Sequence, residues 1–400
     1  MSERNNNRLK VLHLVRWYPN RWNPMPGLFI QRHAEAANLF SDVGVVYTHQ
    51  VEDHGKIKNK FEVDFCIING VPTAKVYYSS AAGWGLPINK TINIFRFFKA
   101  NTIGIKRIKD EIGNFDLIHI HILTRLGLIG LYHKFIHKKP YIITEHWSRY
   151  LYLTGSFNGT IRKLVSRVVV KNAACVTAVT ENLAKAMQSH GLLNNNYLVL
   201  PNVVDEKFLL KSKHDTSLDK QTTFLHVSCF EDKSKNISGL LRVISNLSKI
   251  RNDFIFRLVG DGMDMHWLLE YAKELDIDEN KIVFTGLLEG NELVEEMSIA
   301  DILVIFSNYE NFPVVINESL SLGIPVVATK VGGIPERINE RNGALVDAGN
   351  EDQLKSTLID FLDGKLIYNM DEIQKQAKNE FSPESIGKVL YGLYDSALPK

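Results

Sequence analysis

Glu310 and Glu318 stand eight positions apart in the segment from Tyr309 to Arg337, which reads YENFPVVINESLSLGIPVVATKVGGIPER. The apolar run Asp301–Phe306 before them reads as a buried strand, and Val314, Ile316, Leu320 and Leu322 continue with a helical period. Pro313 falls just before or in the first turn of that helix, where a missing N–H costs little. The N–H groups of Val314 and Val315 have no partner within the helix, so one strand end offers amides for an anion and two carboxylates for hydroxyl groups. The competing reading makes both glutamates solvated helix-end acids. A second apolar strand, PVVAT, leads into Gly332 and Gly333, which allow close backbone approach to a ligand.

The spaced glutamates, the G-I-P-V-V-A strand and the G-G-I-P-E turn follow in an order that resembles the nucleotide-sugar site of glycosyltransferase family 4, retaining enzymes of the GT-B type. The resemblance implies an α/β chain of two Rossmann-like, doubly wound parallel-sheet domains facing a central cleft. Residues 1–203 would form the acceptor domain and 204–381 the nucleotide-sugar donor domain, and the helix in 382–400 would pack back on the first. The polar, turn-rich stretch from Val203 to Lys220 marks the boundary.

The roles the resemblance implies fall at strand ends. Lys235, in DKSKNISGLL, aligns with the family's diphosphate lysine, against the alternative of a solvated surface lysine. Six positions earlier, where the family usually carries an arginine, stands Cys229; either Lys233 substitutes or the neutralisation is weaker. Glu318 would accept from ribose hydroxyls, and Glu310 would hold the sugar and steady a cationic transition state. Lys235 and the amides of Val314 and Val315 would face the leaving phosphates. Gly260 and Gly262 of the GDG turn, Leu287 of TGLL and Asn202 join the donor-binding set. His146, in Glu145-His146-Trp147, matches the family's active-site histidine, against the alternative of a packed core imidazole. Gly27 either lets amides approach donor or acceptor or simply starts a helix. His119 and His121, an H-I-H without a partner cluster, are expected as hydrogen-bonded residues and not a zinc site. Asp276 and Asp278 lie in a polar link, so no metal ion is required, and no cofactor is expected beyond the substrate itself.

The elements that position these residues are strand-like runs alternating with helical ones, the pattern of parallel sheets covered by helices. Eight runs precede Val203: KVLHLV, DVGVVYT, FEVDFCII, AKVYY, DLIHIHI, PYIITE, CVTAV and YLVLP. Six follow Lys220: TFLHVS, FIFRLVG, KIVFTG, DILVIF, PVVAT and GALV. A chain of 400 residues exceeds what one core usually supports, so two domains are the default. Ligands of such sheets bind at the carboxyl ends of the strands.

Cys66, Cys175 and Cys229 are scattered and odd in number, and are expected as reduced core residues in a cytoplasmic protein. The start, MSERNNNRLK, carries no signal-peptide pattern. Residues 1–200 hold 26 Lys and Arg against 12 Asp and Glu, whereas the rest hold 21 against 33. The basic half is drawn to anions such as phosphate or lipid headgroups. No helix-turn-helix, RNA-binding signature or zinc spacing accompanies it, so nucleic acid is not an expected partner. In KTINIFRFFKANTIGIKRIKDE, the apolar Ile92, Phe95, Phe98 and Ile105 alternate with Lys90, Arg96, Lys99, Lys106, Arg107 and Lys109. That composition suits peripheral contact with an anionic membrane, as at the inner face of the plasma membrane, or an ordinary packed helix.

The resulting expectation is a cytoplasmic, metal-independent, retaining hexosyltransferase-type enzyme. It would move sugar from a nucleotide-sugar donor to a glycan or lipid-linked acceptor in surface polysaccharide biosynthesis. Two alternatives stay open: a non-catalytic nucleotide-sugar-binding subunit of a transferase pair, and a GT-B nucleotide-sugar epimerase.

Overall fold

The computed structural model describes residues 8–123, 125–211 and 221–399. Residues 212–220 of the expected link lie outside the described residues. The chain divides into two compact units, Met1–Val203 with Pro383–Lys400 (unit 1) and Val204–Ser382 (unit 2).

Unit 1 is built on eight strands: β1 (Lys10–Val15), β2 (Asp42–Val51), β3 (Phe61–Ile68), β4 (Val71–Ser79), β5 (Leu117–His121), β6 (Tyr141–Glu145), β7 (Cys175–Ala178) and β8 (Tyr197–Val199). Their order across the sheet is β3-β4-β2-β1-β5-β6-β7-β8. Only β3 runs antiparallel, paired with β4 at the edge. The helices are α1 (Leu28–Asn38), α2 (Leu86–Ile112), α3 (Leu126–His137), α4 (Thr160–Asn172) and α5 (Glu181–Ser189). Central strands are buried on both faces, as a sheet covered on both sides requires, and β5 and β6 have every residue buried.

Unit 2 carries α6 (Glu206–Leu210), β9 (Thr222–Val227), α7 (Asp232–Lys235), α8 (Ile237–Ser248), β10 (Phe254–Val259), α9 (Met265–Glu274), β11 (Ile282–Gly286) and α10 (Gly290–Ser298). It continues through β12 (Ile302–Ile305), α11 (Val314–Ser321), β13 (Val326–Thr329), β14 (Gly343–Val346), α12 (Glu351–Leu362) and α13 (Met370–Phe381). The sheet order is β11-β10-β9-β12-β13-β14, and all pairs are parallel. The last helix, α14 (Pro383–Ala397), lies against α1 in unit 1, where Gly387 comes so close to the Ala36 carbonyl that an added Cβ would stand 2.3 Å from it.

Both sheets have a topological switch point beside their first strand. β1 is flanked by β2 and β5, and β9 by β10 and β12. The connections from two adjacent strands leave in opposite directions there and open a crevice at the carboxyl ends.

Two expectations are corrected by burial. Cys66 and Cys229 are exposed and only Cys175 is buried; all three are free thiols. Cys66 lies on the antiparallel edge strand and Cys229 in the loop after β9, so apolar neighbours in sequence did not place them in a core. Helix α2 packs on β2 and β4 through Phe97, Ala100, Gly104, Ile105 and Ile108, so Ile105 is a core residue and not a surface anchor. Ile92 and Phe98 are half-buried, and only Phe95, 71% exposed, stands free of the core. Arg96 donates to the Ser79 carbonyl at 2.7 Å, and Arg107 stacks over Phe65 and pairs with Glu111 at 3.3 Å. No helix among the described residues is long and apolar enough to cross a membrane.

Candidate active site

The switch point of the second sheet brings β9 beside β12, and the loops leaving these strands carry Lys235 and Glu310. The Lys235 Nζ stands 2.5 Å from Glu310 Oε1, and both side chains are largely buried. Ser307 Oγ–H donates to the same carboxylate oxygen at 2.9 Å. The Ser307 carbonyl in turn accepts from Thr329 Oγ1–H on β13 at 2.7 Å. The two loops are also tied through backbone, since the Asn308 N–H donates to the Ser234 carbonyl at 2.8 Å and its side-chain amide to the Lys233 carbonyl at 3.1 Å. Beneath them His226 Nδ1–H donates to the Val304 carbonyl at 2.8 Å. Burial, with a smaller contribution from Lys235, pushes this imidazole down to about 4, so it is neutral near pH 7.

Pro313 caps α11 in extended conformation, and Val314 opens the helix. Glu318 is buried in its second turn. Glu310 thus precedes, and Glu318 follows, the helix start at which the amides of Val314 and Val315 concentrate partial positive charge. Lys233 is exposed as the second residue of α7, and Leu287 is exposed after β11.

Several glycines let segments of the chain approach one another closely. Gly332, with φ +56°, lies so near Glu310 that an added Cβ would stand 2.0 Å from its carbonyl oxygen, and the Gly333 N–H donates to the Asn311 carbonyl at 2.8 Å. Gly260, with φ +147°, approaches the Ser228 carbonyl, where an added Cβ would be 1.9 Å away, and Gly262 crowds the Phe230 backbone in the same way. The close approach is to the chain's own loops, which hold Glu310 and lead into Lys235. Gly27, at φ +77°, caps α1 and lies against the Trp17–Tyr18 backbone.

His146 belongs to unit 1, where the parallel pairing of β1 and β5 aligns His13 with His119 and Val15 with His121. A buried hydrogen-bonded chain follows. Tyr394 Oη meets His13 Nε2 at 3.0 Å, His13 Nδ1 meets His121 Nε2 at 3.2 Å, and His121 Nδ1 meets His146 Nε2 at 3.2 Å. His119 bonds Tyr394 Oη at 2.9 Å and Thr144 Oγ1 at 2.6 Å. His33 Nε2–H donates to the Pro201 carbonyl at 2.9 Å, and its ring centre lies 5.3 Å from that of His146. Asn202 is buried in unit 1 and lies beside His146.

His119 and His121 therefore do have a partner cluster, which sequence reasoning missed. The nitrogens of His13, His119 and His121, and those of His33, His121 and His146, come within 4.8 Å of one another. The alternating H-I-H was the visible signal, but its partners lie far away in sequence. Burial holds all five imidazoles down, with neighbouring histidines adding to the effect at His13, His119, His121 and His146. His146 is accordingly a neutral hydrogen-bonding imidazole. The adjacent Glu145 carboxylate accepts from the N–H groups of Leu123, His146 and Trp147, while burial raises it to about 7. Asp276 and Asp278 are exposed, and Asp278 accepts from the Asn280 N–H within its own turn.

Two α/β units, one on a sheet that is parallel but for its edge strand β3 and the other on a wholly parallel sheet, define the GT-B fold. The family "Glycosyltransferase Family 4" matches residues 59–208 and "Glycosyl transferases group 1" matches residues 210–380. The chain belongs to glycosyltransferase family 4 and is a hexosyltransferase-type enzyme. It is 27% identical over 286 residues to N-acetyl-alpha-D-glucosaminyl L-malate synthase of Bacillus anthracis, covering 68% of this chain and 72% of that one. It is 24% identical over 214 residues to lipopolysaccharide 1,6-galactosyltransferase of Salmonella typhimurium, covering 51% and 58%. In fold it is similar to Anabaena Alr3699/HepE, solved in complex with UDP, with a TM-score of 0.69 at 18% identity over 97% of this chain and 100% of that one.

Proposed function

We propose that the enzyme transfers a sugar from a nucleotide-activated donor to a glycan or lipid-linked acceptor in surface polysaccharide biosynthesis, with retention at the anomeric carbon and without a metal ion. The observation that carries this reading is the Lys235–Glu310 pair beside the start of α11. When the bond from the anomeric carbon to the diphosphate breaks, its electron pair stays on the phosphate oxygen. Lys235 and the amides of Val314 and Val315 stabilise that charge in a site with little solvent. Glu310, released toward the sugar, offers negative charge to the cationic carbon, and Glu318 accepts from ribose hydroxyls. The acceptor hydroxyl adds to the same face and its proton passes to the departing phosphate.

The relatives support the substrate classes: one is named for a glucosaminyl transfer to malate, one for lipopolysaccharide, and the HepE structure holds UDP. Metal independence rests on the ligands present, since Asp276 and Asp278 lie in an exposed turn and the clustered histidines are engaged with one another. Peripheral contact with an anionic membrane is supported by apolar side chains exposed on neighbouring helices, Tyr132, Phe135 and Ile136 of α3 and Ile161, Leu164 and Val168 of α4. Co-sedimentation with anionic but not neutral liposomes, released by salt, is the expected result; equal sedimentation with both would count against it. Donor binding is tested by thermal shift against a panel of nucleotide sugars, where a tight ligand raises the midpoint by mass action. No shift with any donor would overturn the reading.

A further inference from the structure

Unit 1 contains a cavity of about 520 Å³ into which four arginines from separate segments converge. Arg16 follows β1, Arg125 precedes α3, Arg149 follows β6 and Arg162 lies in the first turn of α4. Three of these positions are at the carboxyl ends of β1, β5 and β6, where open α/β sheets take their ligands. No residue lining the cavity is acidic. Among the described residues, none of the four guanidinium groups makes an ion pair, and the buried Arg149 Nε–H has no hydrogen-bond partner. The Arg149 guanidinium carbon lies over the Trp147 ring, 3.4 Å from its centre. Burial, reinforced by Arg162 and Arg16 and only partly offset by Tyr150 and Glu145, lowers the Arg149 pKa. Four like charges in one hollow, none of them ion-paired, carry a cost that a bound anion removes. The guanidinium fork suits phosphate in particular.

The rim adds a second requirement. Leu128 and Ile161 line the same cavity and are 37% and 79% exposed. A free anion would leave this apolar lip in water, whereas a hydrocarbon chain attached to the anion would cover it.

We infer that this pocket binds the sugar acceptor as an amphiphilic anion, with a phosphate or diphosphate headgroup on Arg16, Arg125, Arg149 and Arg162 and an apolar tail over Leu128 and Ile161. The inference rests on the reading of the chain as a transferase and names the chemistry of its acceptor. Calorimetric titration of the full chain with dodecyl phosphate below its micelle concentration, inorganic diphosphate and dodecyl glucoside tests it. Dodecyl phosphate is expected to bind at least about tenfold more tightly than either of the others, the worth of one charge-assisted contact set. Arg149→Gln combined with Arg162→Gln should weaken it at least about tenfold, and the corresponding lysine variants should lose less. Circular dichroism checks the fold; should the double variant not fold, Arg162→Gln alone, at an exposed position, carries the comparison. Equal binding of dodecyl glucoside, or unchanged binding in the folded glutamine variants, overturns the inference. Diphosphate as tight as dodecyl phosphate also overturns it, in favour of a soluble anionic acceptor. Donor titration of the wild type separates the two levels: no donor binding defeats the transferase reading, whereas donor binding without dodecyl phosphate binding defeats only this one.

Discussion

The Lys235 ammonium lies 2.5 Å from the Glu310 carboxylate, 75 residues further along the chain, and Ser307 donates to the same oxygen. Each charge holds the other in place before any substrate arrives. In the proposed mechanism a diphosphate would compete with Glu310 for Lys235 and so free the carboxylate as the donor binds.

Glu310→Gln should therefore lower turnover by about 100-fold or more, worth about 2.7 kcal/mol of transition-state stabilisation, while changing donor affinity only a few-fold. Glu318→Ala should instead weaken donor binding by about tenfold, the loss of hydrogen bonds to a charged acceptor. Steady-state kinetics with donor titration separates the two effects, and full activity in both variants would sink the site assignment.

Gly332→Ala is a test of the support beneath Glu310. The new Cβ would fall 2.0 Å from the Glu310 carbonyl at a φ of +56°, so the turn must move. Strain of this kind costs roughly 1–3 kcal/mol, and the expected result is a lower melting temperature together with a loss of turnover at least as large as that of the donor affinity. A variant with wild-type kinetics would show that the glycine turn does not set the carboxylate's position.

The histidine cluster should make the protein labile to mild acid. Folded His13 is held down to about 3 and His33 to about 4, with His119, His121 and His146 also lowered, against about 6.5 in an unfolded chain. Below about pH 6.5 the unfolded chain binds more protons, so stability falls with decreasing pH by about 1.4 kcal/mol per unit for each such imidazole. Glu145, raised to about 7, works the other way: its contribution is complete below the unfolded value and is lost as pH rises through 7. Five imidazoles outweigh one carboxyl, so the urea midpoint should climb from pH 5 to 6.5. A midpoint that stayed level or fell over that interval would contradict the buried neutral cluster.

Transfer should survive excess EDTA, and the purified enzyme should carry metal well below one equivalent by elemental analysis. His33 Nδ1, buried without a partner beside His121 and His146, marks the place to look if it does not. Activity lost to EDTA and restored by added metal, with the effect absent in His33→Ala, would reassign the cluster.

Local sequence determined a great deal here because the relevant signals are short in range. A parallel strand buried on both faces must be a short apolar run, as in Leu117–His121 and Ile302–Ile305, and the turn chemistry around Pro313 and Gly332 depends only on near neighbours. The glutamate spacing and the Gly-Gly turn could likewise be read in one segment. Tertiary structure decided what depends on which strands become neighbours. Putting β9 next to β12 joined Lys235 to Glu310, and the β1–β5 register set His13 against His119, 106 positions away. Burial was settled at the same level: Ile105 went into the core and Cys66 to an edge strand although both sit in apolar stretches, because the packing partner, not the neighbouring letters, removes a side chain from water. The four-arginine hollow has the same origin, since its charges lie up to 146 positions apart and converge only where strand ends of one sheet meet.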